Sequence, residues 1–228
     1  MNININVYGD SVLKGVVYDE KQNKYAFTHN PNLSEALFRC GVSLNNRSRF
    51  GYTTKKAREL IDFDIKKGLN CDIAIIEYGG NDCNFNWAQV SDNPYAEHFP
   101  VVSLDEFVES MRAFVMQFQN ASVSPVLVTL PPINAQRYLD FIVKDGLSKE
   151  NILLWLGDCE CIYRWQEMYS LAVTKLAYEL RIPLCDLRSE FLSDRRYLQL
   201  MCSDGIHPDI EGQNIIISAF ERFFSKQL

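Results

Sequence analysis

The sequence contains no long run of lysine or arginine, although it is 228 residues long. Its 23 basic residues are outnumbered by 29 acidic ones, so the formal net charge is −6. The densest basic cluster, Lys55-Lys56 with Arg58, fits the solvated face of a helix. Because nucleic acids and anionic membranes bind to concentrated positive charge, we expect neither as a partner.

Long apolar stretches are also absent from the sequence. No apolar run approaches the roughly 20 residues that a transmembrane helix needs. Residues 1–5 alternate between polar and apolar side chains and lack the basic segment and apolar core of a secretory signal. These patterns predict a protein without a membrane span and with a cytoplasmic location.

The cysteine patterns of metal sites and disulfide frameworks are missing. The chain has seven cysteines, an odd number, and no Cys-x-x-Cys pair. The isolated Cys159-x-Cys161 pair offers too few ligands for a zinc site. We therefore expect buried, reduced thiols and no metal site.

Strand-like apolar runs alternate with amphipathic stretches along the chain. With no repeat or low-complexity linker, we expect one domain over residues 1–228 with a single core. The predicted strands are Ile3–Tyr8, Val42–Asn45, Asp72–Tyr78, Val126–Leu130 and Pro183–Asp186. The predicted helices are Thr53–Lys67, Leu104–Gln119, Tyr163–Leu180 and Glu211–Lys226. This alternation predicts an α/β fold with a parallel sheet.

Two segments depart from the alternation. Val16–Phe27 is typical of a small hairpin with a polar turn. Residues 134–161 predict one or two short helices beyond the sheet. Insertions after the carboxyl ends of strands line the ligand crevice in open α/β sheets. We therefore expect this helical insertion to form one side of the functional site.

Residues that could act as a nucleophile or as hydrogen-bond donors follow several predicted strands. Ser11 follows the first strand in Gly9-Asp10-Ser11, where Gly9 allows a sharp turn. Gly51 precedes a helix and can offer its backbone N–H to negative charge. Asn81, in Gly79-Gly80-Asn81-Asp82, carries a neutral N–H donor suited to an oxyanion. Taken singly, each of these segments is also ordinary turn chemistry.

The last candidate pair precedes the C-terminal helix. Asp204 and His207 lie three residues apart, so Asp204 can accept from Nδ1 of His207 and leave Nε2 as a general base. Pro208 disfavours helical geometry at His207, so the helix should begin at or after Pro208. Neither His29 nor His98 has a nearby carboxylate in a turn that follows a predicted strand, so both are expected to be capping or packing residues.

Together these residues supply a nucleophile, a base with its orienting carboxylate, and three oxyanion donors, the N–H groups of Ser11 and Gly51 and the Asn81 side chain. The chain order is that of α/β-hydrolases, but their Gly-x-Ser-x-Gly elbow is absent because position 13 is leucine.

The set Gly9-Asp10-Ser11, Gly51, Gly79-x-Asn81-Asp82 and Asp204-x-x-His207 resembles the SGNH hydrolases, also called the GDSL esterase/lipase superfamily. One departure is Val12 where the family has leucine. The resemblance implies a three-layer α/β/α, flavodoxin-like fold with five parallel strands in the order 2-1-3-4-5. It also implies a cofactor-free serine hydrolase with a shallow, solvent-open site, with catalytic Ser11, Asp204 and His207.

Aromatic residues near these motifs are candidates for substrate binding. Phe85 and Trp87 follow Asn81, and Trp155 lies in the insertion; core packing is the alternative for each. If they line the pocket, the acyl site is small or the substrate is a sugar. The sequence leaves open a short-chain ester, an acetylated sugar, and a lysophospholipid or thioester. It also leaves open a non-catalytic flavodoxin-like protein that binds FMN or phosphate at the same edge.

Overall fold

The computed structural model describes residues 3–27, 33–39 and 41–227. Within these residues, five strands form one sheet in which every neighbouring pair is parallel. These strands are β1 (Ile3–Gly9), β4 (Val42–Asn46), β5 (Ile73–Glu77), β6 (Ser124–Val128) and β7 (Leu184–Cys185). Their order is β4-β1-β5-β6-β7, which is 2-1-3-4-5 when the parallel strands are numbered along the chain. The predicted fold class and strand order are confirmed.

A separate antiparallel hairpin follows the first strand. It consists of β2 (Val16–Asp19) and β3 (Lys24–Phe27), with Tyr18 opposite Tyr25. The hairpin predicted over residues 16–27 is therefore confirmed, and it does not join the main sheet.

Helices fill the connections between strands. Those in the described residues are α1 (Ser11–Lys14), α2 (Leu33–Arg39), α3 (Thr54–Lys67), α4 (Trp87–Asp92), α5 (Leu104–Asn120), α6 (Ala135–Val143), α7 (Lys149–Leu156), α8 (Glu160–Leu180), α9 (Leu187–Ser193) and α10 (Ile210–Gln227). The four long predicted helices match α3, α5, α8 and α10 to within three residues at each end. A capping box begins α5: the Ser103 side chain accepts from the N–H of Glu106, and the Glu106 carboxylate accepts from the N–H of Ser103.

Two apolar cores lie on opposite faces of the sheet. Consecutive strand residues point to opposite faces, so Tyr8 and Ile76 pack with α3, α5 and α8, whereas Val7 and Ile75 pack with α1, α2, α9 and α10. All four side chains are fully buried. Strands covered on both faces explain the continuous apolar runs in the sequence.

The last strand is shorter than predicted. The sequence predicts a short strand over Pro183–Asp186, but β7 covers only two residues, Leu184 and Cys185. The reason is that the Asp186 side chain accepts from the N–H of Ser189 and caps α9, so the chain turns into a helix at that point. No helix in the described part of the chain has the length and apolar character needed to cross a membrane.

Candidate active site

Ser11 follows β1 after one intervening residue, Asp10, at the edge of the sheet where the carboxyl ends of the strands meet (the carboxyl edge). It is the first residue of the one-turn helix α1. The Asp10 side chain caps this helix by accepting from the N–H of Val12 at 2.8 Å, and Gly15 ends it in the left-handed conformation. Local capping therefore fixes the backbone of Ser11.

The role expected of Gly9 is wrong. Gly9 remains in β1 and does not have a positive φ, so it is not a sharp turn. A Cβ at this position would instead lie 3.1 Å from Oε2 of Glu77 and 3.2 Å from Cβ of Leu13. A side chain here would force these neighbours to move by a few tenths of an ångström, so their close approach favours glycine.

Ser11, His207 and Asp204 form a continuous hydrogen-bonded chain. Nε2 of His207 lies 2.8 Å from Oγ of Ser11, and Nδ1 of His207 lies 2.5 Å from Oδ2 of Asp204. The other carboxylate oxygen of Asp204 accepts from the backbone N–H groups of Ile206 and His207, each at 3.1 Å. Asp204 is fully buried and His207 is 3% exposed, so the chain of hydrogen bonds is shielded from water.

The loop that carries Asp204 and His207 is packed against the start of α6. Gly205 has a φ of +77°, and a Cβ there would lie 2.5 Å from the carbonyl oxygen of Asn134 and from the backbone nitrogen of Tyr138. Only glycine fits this left-handed, tightly packed position. As predicted, the final helix begins after Pro208, at Ile210.

Ser11, Gly51 and Asn81 border one cavity. Gly51 has a φ of +68°, and a Cβ there would meet no atom within 4 Å. Among the described residues, neither the Ser11 N–H nor the Gly51 N–H donates to a protein acceptor. Both can therefore donate to a ligand.

The Asn81 amide is engaged more fully than the sequence suggested. Its Nδ2 donates to Oδ2 of Asp10 and to the carbonyl oxygen of Tyr52, each at 3.1 Å. An amide nitrogen has two hydrogens, so an oxyanion has to share or replace one of these acceptors. In the structure, Asn81 therefore lies at the site with its side-chain amide already hydrogen-bonded to protein acceptors.

Three buried carboxyl groups lie behind Ser11, a feature that the sequence analysis missed. Glu77 is fully buried at the end of β5, and its Oε2 lies 3.4 Å from the backbone nitrogen of Asp10. Burial raises the pKa of Asp10 to about 6 and that of Asp82 to about 6, and burial with the nearby Asp10 charge raises the pKa of Glu77. A glutamate inside an otherwise apolar strand was the available signal.

Asp82 connects the Asn81 loop to α3. One of its carboxylate oxygens accepts from the backbone N–H of Thr54 at 2.8 Å and from the Thr54 hydroxyl at 2.5 Å. Because Asn81 holds the Tyr52 carbonyl, adjacent residues of one loop fix adjacent parts of the segment that follows Gly51. These hydrogen bonds therefore fix the positions of the three candidate oxyanion donors relative to one another.

The cavity above Ser11 has a volume of about 780 Å³ and is bordered by many aromatic side chains. Phe85, Trp87 and Trp155 all line it, and Trp87 is only 8% exposed. Because Ser11 is 7% exposed and His207 is nearly buried, the site is recessed rather than shallow.

Several lining residues were not singled out in the sequence. They include Tyr25 of the hairpin and Phe50. His98, expected to be a capping or packing residue, also lines the cavity; its Nε2 lies 2.9 Å from the carbonyl oxygen of Asn93 and its ring contacts Trp155. His29 lies outside the described residues. Within the described ranges, His, Cys, Asp and Glu side chains form no group of three able to hold a metal ion.

Solved structures with the same fold cover nearly the whole chain. A lipase/acylhydrolase from Enterococcus faecalis aligns with a TM-score of 0.68 and 16% identity, over 99% of this chain and 97% of that one. A catalytic mutant of an acetylxylan esterase from Geobacillus stearothermophilus aligns with a TM-score of 0.68 and 18% identity, over 97% of this chain and 94% of that one. At these identities the likeness establishes the fold.

Sequence comparison identifies the family. A GDSL esterase/lipase from Arabidopsis thaliana is 23% identical over 175 residues, which cover 75% of this chain but only 61% of the relative. The model of the GDSL-like Lipase/Acylhydrolase family matches residues 7–215, a span that includes Ser11, Asp204 and His207. The chain therefore belongs to the GDSL-like Lipase/Acylhydrolase family.

Proposed function

We propose that this protein is a carboxylic ester hydrolase that works through an acyl-Ser11 intermediate. The observation that carries the proposal is the buried hydrogen-bonded chain from Asp204 through His207 to Ser11, with distances of 2.5 and 2.8 Å. A serine hydroxyl is a weak nucleophile unless an adjacent base accepts its proton, and this arrangement supplies such a base.

In the first half of the reaction, Oγ of Ser11 attacks the ester carbonyl carbon while Nε2 of His207 accepts the hydroxyl proton. The Asp204 carboxylate accepts from Nδ1 of His207 and stabilises the imidazolium that forms. The negative oxygen of the tetrahedral intermediate accepts from the N–H groups of Ser11 and Gly51 and from the Asn81 amide.

Collapse of this intermediate breaks the bond to the alcohol. The imidazolium of His207 gives its proton to the departing alcohol oxygen, leaving Ser11 acylated. A water molecule then attacks the acyl carbon and passes a proton to His207, and a second collapse releases the acid and restores the Ser11 hydroxyl. The Asn81 amide takes part by loosening its bond to Tyr52 while it stays held by Asp10.

Labelling with a fluorophosphonate, followed by peptide mapping, tests the nucleophile. We expect modification at Ser11, loss of hydrolysis in Ser11→Ala across a panel of p-nitrophenyl esters and acetylated sugars, and no change in Ser193→Ala, which alters an exposed serine on α9. Absence of both labelling and turnover would overturn the proposal and favour a flavodoxin-like binding protein, which should instead retain FMN or inorganic phosphate.

The substrate has two candidate classes. Small acyl esters and acetylated sugars have the support of the likeness to an acetylxylan esterase. A lysophospholipid or thioester is favoured by the cavity, since about 780 Å³ is far more than an acetyl group fills. Residues 134–161 are proposed to be a helical insertion within one domain. This insertion contributes to the same site, because Ile142 of α6 and Trp155 of α7 border the cavity.

A further inference from the structure

The aromatic side chains around the cavity form two groups. The histidine-side group comprises Tyr25 and Phe50, whose ring centroids lie 5.1 and 6.2 Å from the His207 ring. The tryptophan-side group comprises Phe85, Trp87, Trp155 and Trp165, with Phe85 in the centre at centroid distances of 5.7, 4.9 and 5.8 Å from the three tryptophans. No ring contact among the described residues joins the two groups directly.

The proposed reaction gives the two sides of the cavity different tasks. His207 has to protonate the departing alcohol oxygen, so the alcohol lies on the side of His207 and the histidine-side group. The carbonyl oxygen faces the N–H donors of Ser11, Gly51 and Asn81. The acyl substituent is then left with the rest of the cavity lining, which includes Phe85 and Trp87.

Most of the tryptophan-side group is suited to an apolar substituent, because its ring surfaces are apolar and several polar groups beside it are paired with protein atoms. The exception is Nε1 of Trp165, which is buried and has no partner among the described residues. Nε1 of Trp87 donates to Oδ1 of Asn84 at 2.9 Å, and the Tyr138 hydroxyl donates to the same oxygen at 2.8 Å. Nε2 of Gln166 donates to the carbonyl oxygen of Pro131 at 2.9 Å. Sugar hydroxyls placed here would lose water partners without full replacement, whereas methylenes or an aromatic ring would not.

We propose that the tryptophan-side group is an acyl pocket that selects a straight-chain or aromatic acyl group of about six to ten carbons over acetyl. The cavity volume of about 780 Å³ lies in the range that encloses a drug-sized ligand. Each methylene buried there adds roughly a fourfold gain in binding. This inference rests on the proposed ester hydrolysis and names the substrate class of the same site.

A series of p-nitrophenyl esters from acetate to decanoate tests the pocket, since only the acyl group varies. We expect kcat/KM to rise at least tenfold from acetate to octanoate. Suppose that the fluorophosphonate labels Ser11 and that the unlabelled enzyme hydrolyses esters. If acetate is then the best substrate, the acyl pocket is overturned and the proposed function stays intact. Failure of labelling and of every ester would instead overturn the proposed function.

A variant that fills the pocket gives a sharper test. Cys161 borders the cavity from the first turn of α8, and Cys161→Trp adds an indole ring there. We expect octanoate hydrolysis to fall at least tenfold while acetate hydrolysis stays within threefold. Met168→Trp, which adds the same ring at an exposed position of α8 away from the cavity, is the control and should change neither. Equal losses on both esters in Cys161→Trp would contradict the proposal.

Truncation of each aromatic group tests which side holds the acyl chain, even if Cys161→Trp does not fold. Trp155→Ala should flatten the dependence on acyl length, whereas its neighbour Leu154→Ala, an exposed position on α7, should not. Phe50→Ala should alter the preference among octanoyl esters of different alcohols and leave the acyl-length profile unchanged. The opposite result, with Trp155 governing alcohol preference, would overturn the assignment of the two sides.

Discussion

The carboxylate of Asp10 accepts a hydrogen bond from the side-chain amide of Asn81 at 3.1 Å. The same carboxylate caps α1 through the N–H of Val12, directly after the proposed nucleophile. Asp10 therefore links the backbone that carries Ser11 to the proposed oxyanion donor. Because a carboxylate only accepts, this contact also fixes which end of the Asn81 amide faces Asp10.

Replacing Asn81 with alanine should mainly slow the chemical step. Removal of one oxyanion donor lowers kcat by about 100- to 1000-fold, or about 2.7–4 kcal/mol of barrier, with little change in KM. Steady-state kinetics on one p-nitrophenyl ester measures both parameters. Asn70→Ala, an exposed position outside the cavity, is the matched control. An unchanged kcat in Asn81→Ala would remove this residue from the mechanism.

Asp10→Asn should act through Asn81. The new amide can still cap α1 by its oxygen, but it turns a donor toward the Asn81 amide, and a displaced catalytic group can lose about 100-fold in rate. We expect kcat to fall by about that factor with KM nearly unchanged. The double variant with Asn81→Ala should then be no slower than Asn81→Ala alone, because both changes remove one function. Multiplicative losses would contradict the link between Asp10 and Asn81.

The role of Asp204 is separable from its role in the loop. In Asp204→Asn, the remaining side-chain oxygen can still accept from the N–H groups of Ile206 and His207, so the melting temperature should change little. Loss of the carboxylate at Nδ1 of His207 should lower kcat by about 10⁴-fold, as in other serine triads. Steady-state kinetics measures the change in kcat, and calorimetry measures the change in melting temperature. Retention of most activity would mean that another group orients the imidazole.

The sequence was sufficient for the sheet and for the chemical groups, because both leave local signals. Buried strands appear as apolar runs, and the motifs around Ser11, Asn81 and His207 follow strand ends that a parallel sheet brings to one edge. It was insufficient for contacts between distant segments. Gly205 is required by the backbone of α6, about 70 residues earlier in the chain, and no local pattern predicts that approach.

Gly9 and Glu77 illustrate the same limit. The sequence predicts a turn at Gly9, but the lack of a side chain there makes room for Glu77 on the neighbouring strand. The short helices α1 and α9 are not predicted by the sequence, for a related reason. Four residues in α1 and seven in α9 are too few to show a helical period, and the caps at Asp10 and Asp186 are the only local signal.

The buried carboxyl groups make stability depend on pH in a definite direction. In the unfolded chain, aspartate and glutamate ionise near pH 4. Burial raises the pKa of Asp10 and of Asp82 to about 6, and raises that of Glu77 as well. Between about pH 4 and 6 the folded protein therefore holds protons that the unfolded chain has released, so these groups make the free energy of unfolding fall as pH rises.

Glu77→Gln should remove the share of this dependence that belongs to Glu77. Glutamine resembles the protonated acid in shape but has no proton to lose, so the variant should gain stability relative to wild type as pH rises above about 4, by about 1.4 kcal/mol per pH unit until the folded pKa is reached. Urea unfolding at pH 4, 6 and 8 measures the difference. Glu109→Gln, at an exposed position on α5, is the control and should track wild type. If the profiles of Glu77→Gln and wild type run parallel, Glu77 is not the buried acid that holds a proton behind Ser11.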